Sequence, residues 1–382
     1  MSASTIFLML AALFTVLTLL RCRIAKNEID RYFAAKASPV SENRITALQP
    51  ILGGDPALAH CLETNLLRAK DAHFIWLIDD DDVTGQEAAQ AAIAKTGRSD
   101  VLLVIAPSPP ANLNPKTYKL SCGLSKVKTD FIAVLDDDTI LPVRALGDAA
   151  ALAGNGSLVT GLPIYDARTT VWSRLVTGFV NANSLLTYLP AAGIGLSRTI
   201  NGMFSLMRTE DLKTRGGFHS IAQEVTDDYA LASLFLSQNG RVIQTCICTS
   251  LITTVQGPCH YFTLMHRWMV FARLYLRENL SLATLPLILV PGILPLPLCL
   301  SGLAAGGAFA IAAIALLVLK SLIVRSLVAK LSADPHPVSD FIFEILGELL
   351  LPLHVISSAM RPNSILWRKR SLLLKGSRII NG

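Results

Sequence analysis

Three groups of carboxylates stand where this sequence could do chemistry. Asp136, Asp137 and Asp138 directly follow an apolar run, Phe131–Leu135. Acids at the end of a buried strand repel one another unless a cation neutralises them. Hard divalent metals take oxygen ligands, and Mg²⁺ is usually held by one or two carboxylates plus substrate phosphates. Asp136 and Asp138, two apart, point the same way at a strand end; an ordinary solvated turn is the competing reading. The four aspartates 79–82 follow a second apolar run, 74–78. A carboxylate there can accept hydrogen bonds from a base N–H or a ribose hydroxyl, or simply begin a helix favoured by its dipole. Asp227 and Asp228 open a helical pattern over 230–236. They read as a helix cap or as a base aimed at a substrate hydroxyl.

Two basic groups accompany them. Arg267-Trp268 could neutralise a leaving diphosphate bidentately and stack on a ligand, or sit as an interfacial pair at a membrane. Lys116, in Asn114-Pro115-Lys116, could meet a phosphate or be an exposed lysine. Other chemistries lack their signals. There is no Walker loop, HExxH or GxSxG. Gly193-Ile194-Gly195 has neither the preceding strand nor the third glycine of a dinucleotide fingerprint. The seven histidines show no zinc spacing.

The elements that must position these groups follow from periodicity. Apolar runs at 74–78, 101–105 and 131–135 alternate with helical patterns at 86–95 and 116–127. Continuous apolar strands between helices predict an α/β domain with a mainly parallel sheet covered on both faces. Such sheets bind ligands beyond the carboxyl ends of their strands, where two of the aspartate clusters fall.

Composition predicts a membrane around that domain. Of 382 residues, 52% are hydrophobic and 16% charged, against about 25% charged in soluble domains; mean hydropathy is +0.48. Disorder is excluded by the same numbers. The net charge of +6 gathers beside apolar segments, as anchors on an anionic surface do, and not in an aromatic-interleaved stripe for nucleic acid. Seven cysteines without a CxxC pair read as free thiols of a reducing compartment.

The segment 1–22 reads as an uncleaved anchor. Arg21, Arg23 and Lys26 after it predict a cytoplasmic chain beyond. The polar block 41–280 is the domain. Within it, 171–200 reads as helices in the membrane interface, or else as a core helix. The stretch 281–320 predicts a transmembrane hairpin. The third C-terminal hydrophobic segment, 340–360, carries Glu344, Glu348 and His354. Carboxylates are costly in a bilayer, so a re-entrant course competes with a span and is favoured. It keeps the basic tail 361–382, with Arg361, Arg368, Lys369, Arg370, Lys375 and Arg378, on the cytoplasmic side.

The order of these signals resembles the ceramide glucosyltransferase family, glycosyltransferase family 21. The resemblance runs from about Ile45 to Leu280, with a similar anchor and C-terminal hydrophobic region. Leu48-Gln49-Pro50, Gly54-Asp55-Pro56 and Leu62-Glu63-Thr64-Asn65 look like its opening block. Asn114-Pro115-Lys116, Gly161-Leu162-Pro163, Gly202-Met203 with Leu206-Met207-Arg208, and Asp228-Tyr229 match further segments. The family's (Q/R)xxRW motif fits at Arg267-Trp268, but its first position is Leu264.

The resemblance implies a GT-A fold and a multi-pass protein, of a bacterial inner membrane, with a cytoplasmic catalytic domain. It implies inverting transfer of a hexose, glucose first, from a UDP-sugar to a lipid hydroxyl, ceramide first. It gives catalysis to Asp228, Arg267 and Trp268, and nucleotide-sugar binding to Asp79, Asp81, Lys116 and Asp136. The run of four aspartates leaves the register around Asp79 open. Asp136 and Asp138 would hold Mg²⁺ or Mn²⁺. Bacterial hopanoid glycosyltransferases are the closest alternative, since 226–231 and Trp172-Ser173-Arg174-Leu175 fit them equally. A non-enzymatic divalent-ion protein using Glu344 and Glu348 is the rival from another class.

Overall fold

The apolar runs become strands of an eight-stranded sheet, 131–135 inside it, 74–78 next to one edge and 101–105 at that partly exposed edge, in this computed structural model, which describes residues 1–35, 37–166, 168–332, 337–367 and 370–381. Its strands are β1 (Ile45–Ile51), β2 (His73–Asp79), β3 (Leu102–Ala106), β4 (Phe131–Leu135), β5 (Thr139–Ile140), β6 (Ser157–Tyr165), β7 (Phe204–Arg208) and β8 (Arg241–Leu251), in the order β3-β2-β1-β4-β7-β6-β8-β5. β3, β2, β1 and β4 run parallel. β7 is antiparallel to β4 and β6, while β6 and β8 are parallel. β1 and β4 are buried along their whole length, which is why they read as unbroken apolar runs. Ile51 pairs with Ile78, and Leu48 with Val134. The carboxyl ends of β2 and β4, with Asp79 and Asp136, therefore flank the end of β1.

The chain divides into two units. The sheet unit comprises Ala35–Ala167, Ser197–Thr254 and Asn363–Gly382; a helical unit comprises Met1–Ala34, Arg168–Leu196 and Val255–Pro362. The polar block expected at 41–280 is thus split: 168–196 and 255–280 belong with the apolar helices. The basic tail expected at 361–382 is mostly a small antiparallel sheet of the sheet unit, β9 (Ser364–Trp367), β10 (Arg370–Lys375) and β11 (Arg378–Asn381); Arg368 and Lys369 lie outside the described residues.

Among the described residues of the helical unit, three helices are long and apolar enough to cross a membrane: Ala3–Ala34, Gly307–Val328 and Val338–Met360. A fourth candidate is the pair Leu285–Ile293 and Pro295–Ala305, bent by 46°. Its break falls among Pro291, Pro295 and Pro297, which cannot continue the backbone ladder. The hairpin expected at 281–320 therefore has a broken first arm and a second arm that starts only at Gly307. The first helix runs on twelve residues past the expected anchor end at 22. Arg21 is buried in this unit and donates from Nε to the Leu186 carbonyl at 3.0 Å, so it is not a surface anchor.

Two sequence expectations change for physical reasons. Glu344 pairs with Arg325 (2.8 Å) and Glu348 with Lys320, both cations coming from the Gly307–Val328 helix. Pairing offsets the cost that made a span at 340–360 look expensive, and by length and apolarity this helix qualifies as one. The stretch 171–200 forms one helix, Val171–Gly193, with a broad buried face. It packs closely on Phe341–Met360: Gly178 meets the backbone of Phe343 and Glu344, and a Cβ at Gly347 would come within 2.8 Å of Phe179 Cα. Small residues let helix backbones approach in this way. Gly347→Leu should therefore force the helices apart at a cost of about 1–3 kcal/mol. Thermal unfolding in detergent should show a lower Tm, and an unchanged Tm would contradict the packing.

Candidate active site

One lysine gathers the acids. Lys116 Nζ lies 2.7 Å from Asp136 Oδ1 and 3.0 Å from Asp227 Oδ2, and donates to the Gly202 carbonyl at 3.0 Å. Segments far apart in sequence thus meet on one ammonium group. All three side chains are largely shielded, Lys116 at 12% exposure. Burial by itself would lower the lysine pKa, but Asp136 and Asp227 outweigh it and raise it above its ordinary value. Lys116 is a fixed cation at neutral pH.

The local sequence explains how Lys116 is aimed. Asn114 caps the helix Pro115–Leu124, accepting from the Lys116 N–H at 2.9 Å, with Pro115 at the first helical position; both are favoured helix-start residues. The Asn114 side chain also donates to the carbonyls of Glu224 (3.0 Å) and Val225 (3.3 Å). One asparagine therefore fixes both the lysine helix and the approach to Asp227. Lys119, one turn on, faces the same way. It is fully buried and donates to Asp79 Oδ2 (3.0 Å) and the Ile51 carbonyl (2.9 Å).

The other aspartates separate into distinct jobs. Asp79 ends β2 and is paired with Lys119. Asp81 is exposed on the following turn. Asp82 caps the helix Val83–Thr96, accepting from Gly85 N–H (3.0 Å), and binds Gly53 N–H at 2.7 Å. Asp137 accepts from Leu52 N–H at 2.6 Å and so ties β4 to the end of β1. Asp136 is held through its backbone: its N–H donates to the Met203 carbonyl (2.9 Å), and its carbonyl accepts from Gln49 Nε2 (3.2 Å). Gln49 is in turn fixed by Trp76 Nε1 at 2.9 Å.

Asp138 accepts from the Thr253 hydroxyl. Thr254 next door donates from N–H (2.7 Å) and hydroxyl (2.9 Å) to Asp55. Burial pushes the Asp138 carboxyl up to about 6, and the charge of Asp136 adds to this. Such a pair favours a cation beside it. Burial and the charges of Asp138, Asp137 and Asp55 raise the Cys61 thiol above its ordinary value. Among the described residues no group of three His, Cys, Asp or Glu forms a protein cage for a metal. Two carboxylates with open positions suit Mg²⁺ or Mn²⁺ completed by water and phosphate oxygens.

Asp227 and Asp228 begin the helix Asp227–Ser237 and have unlike surroundings. Asp227 is the partner of Lys116, so it is more than a helix cap. Asp228 Oδ1 accepts from Tyr229 N–H at 2.7 Å. Burial and the neighbouring Asp227 charge push the Asp228 carboxyl up to about 7. It lines a small, mainly apolar pocket with Leu120, Val134, Ile200, Phe218 and Leu231. The two neighbours are therefore candidates for different roles, Asp227 as the ion-pair partner of Lys116 and Asp228 as an acid or base.

Arg267 and Trp268 are carried by the helical unit, on Pro258–Asn279. Trp268 stacks on Phe179, with ring centroids 6.2 Å apart, and Leu264 is buried with Met265 and Met269. The sequence did not single out Asn114, Lys119, Asp227 or Thr253 for these roles. Asn-Pro at a helix start and the Lys116–Lys119 spacing were legible signals for two of them. Nothing local marks Thr253.

The chain resembles a mannosyltransferase from Pyrobaculum calidifontis, solved with GDP-Man and Mn²⁺, at 15% identity and a TM-score of 0.50, over 96% of this chain and 100% of that one. It also matches glucosyl-3-phosphoglycerate synthase from Mycobacterium tuberculosis, solved with Mg²⁺ and UDP, at 16% identity and a TM-score of 0.35, over 63% of this chain and 82% of that one. The first likeness agrees with the sheet order in giving a GT-A-type fold. The model of glycosyl transferase family 21 matches residues 4–380. With nearly its whole length covered, the chain belongs to glycosyl transferase family 21.

Proposed function

We propose that this protein is a membrane-bound inverting glycosyltransferase that moves a hexose, glucose first, from a UDP-sugar to the hydroxyl of a lipid, ceramide first. The observation that carries the reading is the meeting of Asp136 and Asp227 on Lys116 beside a carboxyl, Asp228, whose pKa is raised. Asp79 and Asp81, at the end of β2, bind the uridine. Asp136 and Asp138 would hold a divalent cation, and the chemistry it would supply is neutralisation of the donor diphosphate. Lys116 holds Asp136 and Asp227 in place and adds a fixed positive charge.

Asp228, when ionised, takes the proton of the acceptor hydroxyl. The acceptor oxygen forms its bond to the anomeric carbon while the bond to UDP breaks, and the electron pair leaves with UDP. Attack from the opposite face gives a β-glycoside. Arg267 stabilises the departing UDP and Trp268 supports the same end. The helices long enough to cross a membrane are consistent with an acceptor that stays in the bilayer. The sheet unit then faces the cytoplasm, where nucleotide sugars are.

The ion-carrier alternative loses its motivation, because Glu344 and Glu348 are both ion-paired. The hopanoid alternative rests on 226–231 and Trp172-Ser173-Arg174-Leu175; of these, Arg174 pairs with Asp340 at 2.8 Å inside the helical unit, which leaves the acceptor to experiment. Membranes incubated with radiolabelled UDP-sugars and a panel of ceramide and hopanoid acceptors test the reading directly. Labelled glucosylceramide is expected; label in hopanoid alone would reassign the acceptor. Chelation should abolish transfer, and Mg²⁺ or Mn²⁺ should restore it, because two carboxylates without a third protein ligand hold a cation weakly in the absence of the diphosphate. Full turnover in excess chelator would remove the metal role from Asp136 and Asp138.

A further inference from the structure

The segment 222–226 leads directly into Asp227 and is irregular. Its backbone polar groups are taken from two sides. Asn114 holds one side, its N–H donating to the Ala222 carbonyl at 2.7 Å and its side chain to Glu224 and Val225. The β10–β11 hairpin, from the far C-terminus, holds the other. Val225 N–H donates to the Ser377 carbonyl at 2.8 Å, and Ile379 N–H donates to the Gln223 carbonyl at 2.9 Å. Glu224 and Arg378 face each other as an antiparallel bridge. Their side chains pair at 3.3 Å, but Arg378 is 69% exposed, and such ion pairs contribute little. The main-chain bonds are the coupling. Leu372, Leu374 and Ile379 are buried and anchor the hairpin.

We propose that the C-terminal hairpin is a positioning element for the acid pair Asp227–Asp228, acting through Ser377 and Ile379 from the side opposite Asn114. This rests on the reading of Asp228 as the base. Without the hairpin, Val225 N–H and Gln223 carbonyl lose their partners two to four residues before the acids, and the start of the helix is held from one side only. A displacement of about 1 Å at a reacting group can cost about 10²-fold in rate.

Gly376, at the hairpin tip, allows a clean test. Its φ is +65°, and a Cβ there would meet nothing within 4 Å. A substitution therefore acts through the backbone alone. Valine is strained in this left-handed region, whereas asparagine visits it readily. In the full-length protein, Gly376→Val should lower kcat by about 10–100-fold and leave the KM for the UDP-sugar within about twofold. Gly376→Asn should stay near the parent. A kcat unchanged in Gly376→Val, an equal loss in both variants, or a donor KM rising in step with the loss would overturn the proposal.

A second variant, Glu224→Cys/Arg378→Cys, covers the case in which Gly376→Val does not fold. Residues facing each other across an antiparallel pair are close enough for a disulfide with small adjustment. Oxidised protein should keep full turnover relative to parent protein treated alike; loss on oxidation with recovery on reduction would show that the docked hairpin is not the active arrangement. Asp228→Asn is assayed alongside. If it keeps turnover, the base reading falls; if it is inactive while Gly376→Val is normal, only the hairpin proposal falls.

Discussion

Asp228→Asn should lower kcat by roughly 10²–10⁴-fold, the usual contribution of a positioned general base, and leave UDP-sugar binding nearly intact. A lipid alcohol is a poor nucleophile at neutral pH. Asn keeps the shape and a hydrogen-bonding oxygen for Tyr229 N–H but cannot accept the proton. Because burial and the Asp227 charge push this carboxyl up to about 7, free enzyme well below that pH should hold the proton and lack its base. kcat/KM should therefore rise with pH through about 7.

The same raised pKa has an opposite effect on stability. A carboxyl that binds its proton more tightly when folded stabilises the fold below its unfolded pKa and loses that contribution as pH rises through the folded value. Asp228→Asn should thus melt no lower than the parent at pH 8. Asp227→Asn should behave differently, because it removes a partner of Lys116: both donor binding and Tm should fall. If Asp227→Asn alone abolishes turnover with stability intact, the base is Asp227.

Lys116→Met should be at least as damaging, by another route. It leaves Asp136 and Asp227, 29% and 15% exposed, without their cation, and the cost lies at the low end of the roughly 3–5 kcal/mol lost when a fully buried pair is broken. In a domain of this size that is a fall in Tm of roughly 10 °C. Turnover should drop by more than about 10²-fold, since Asp136 and Asp227 lose the group that fixes them. Saturating Mg²⁺ or Mn²⁺ should raise the Tm of the variant more than that of the parent, because a divalent ion replaces the missing charge. Lys116→Arg should recover part of the stability. An unaltered Tm and rate in Lys116→Met would show that the ion pairs hold nothing together. Donor titration, differential scanning calorimetry and UDP release measure all of these quantities.

Much of the frame was legible in the residues themselves. Strands buried on both faces must be apolar throughout, so β2 and β4 announce themselves, and acids at their ends can only face the ligand side of a parallel sheet. Helix starts are equally local: Asn114-Pro115 marks one. Long apolar helices are set by composition, which is why their number came close while their ends did not. The ends depend on capping and on neighbours.

What the sequence left open is everything decided by partners distant in the chain. Lys116 reads as an exposed lysine or a phosphate ligand until Asp136 and Asp227 are placed on either side of it. Glu344 and Glu348 look prohibitive in a span until Arg325 and Lys320 are set against them. The basic tail looks solvated until it folds as a hairpin on 223–225. Asp227 and Asp228 are identical residues side by side; the family resemblance puts Asp228 first, but their spacing and composition do not show that Asp227 meets Lys116. A charge takes its meaning from burial and from the charges around it, and those are fixed only when the tertiary fold brings remote segments together.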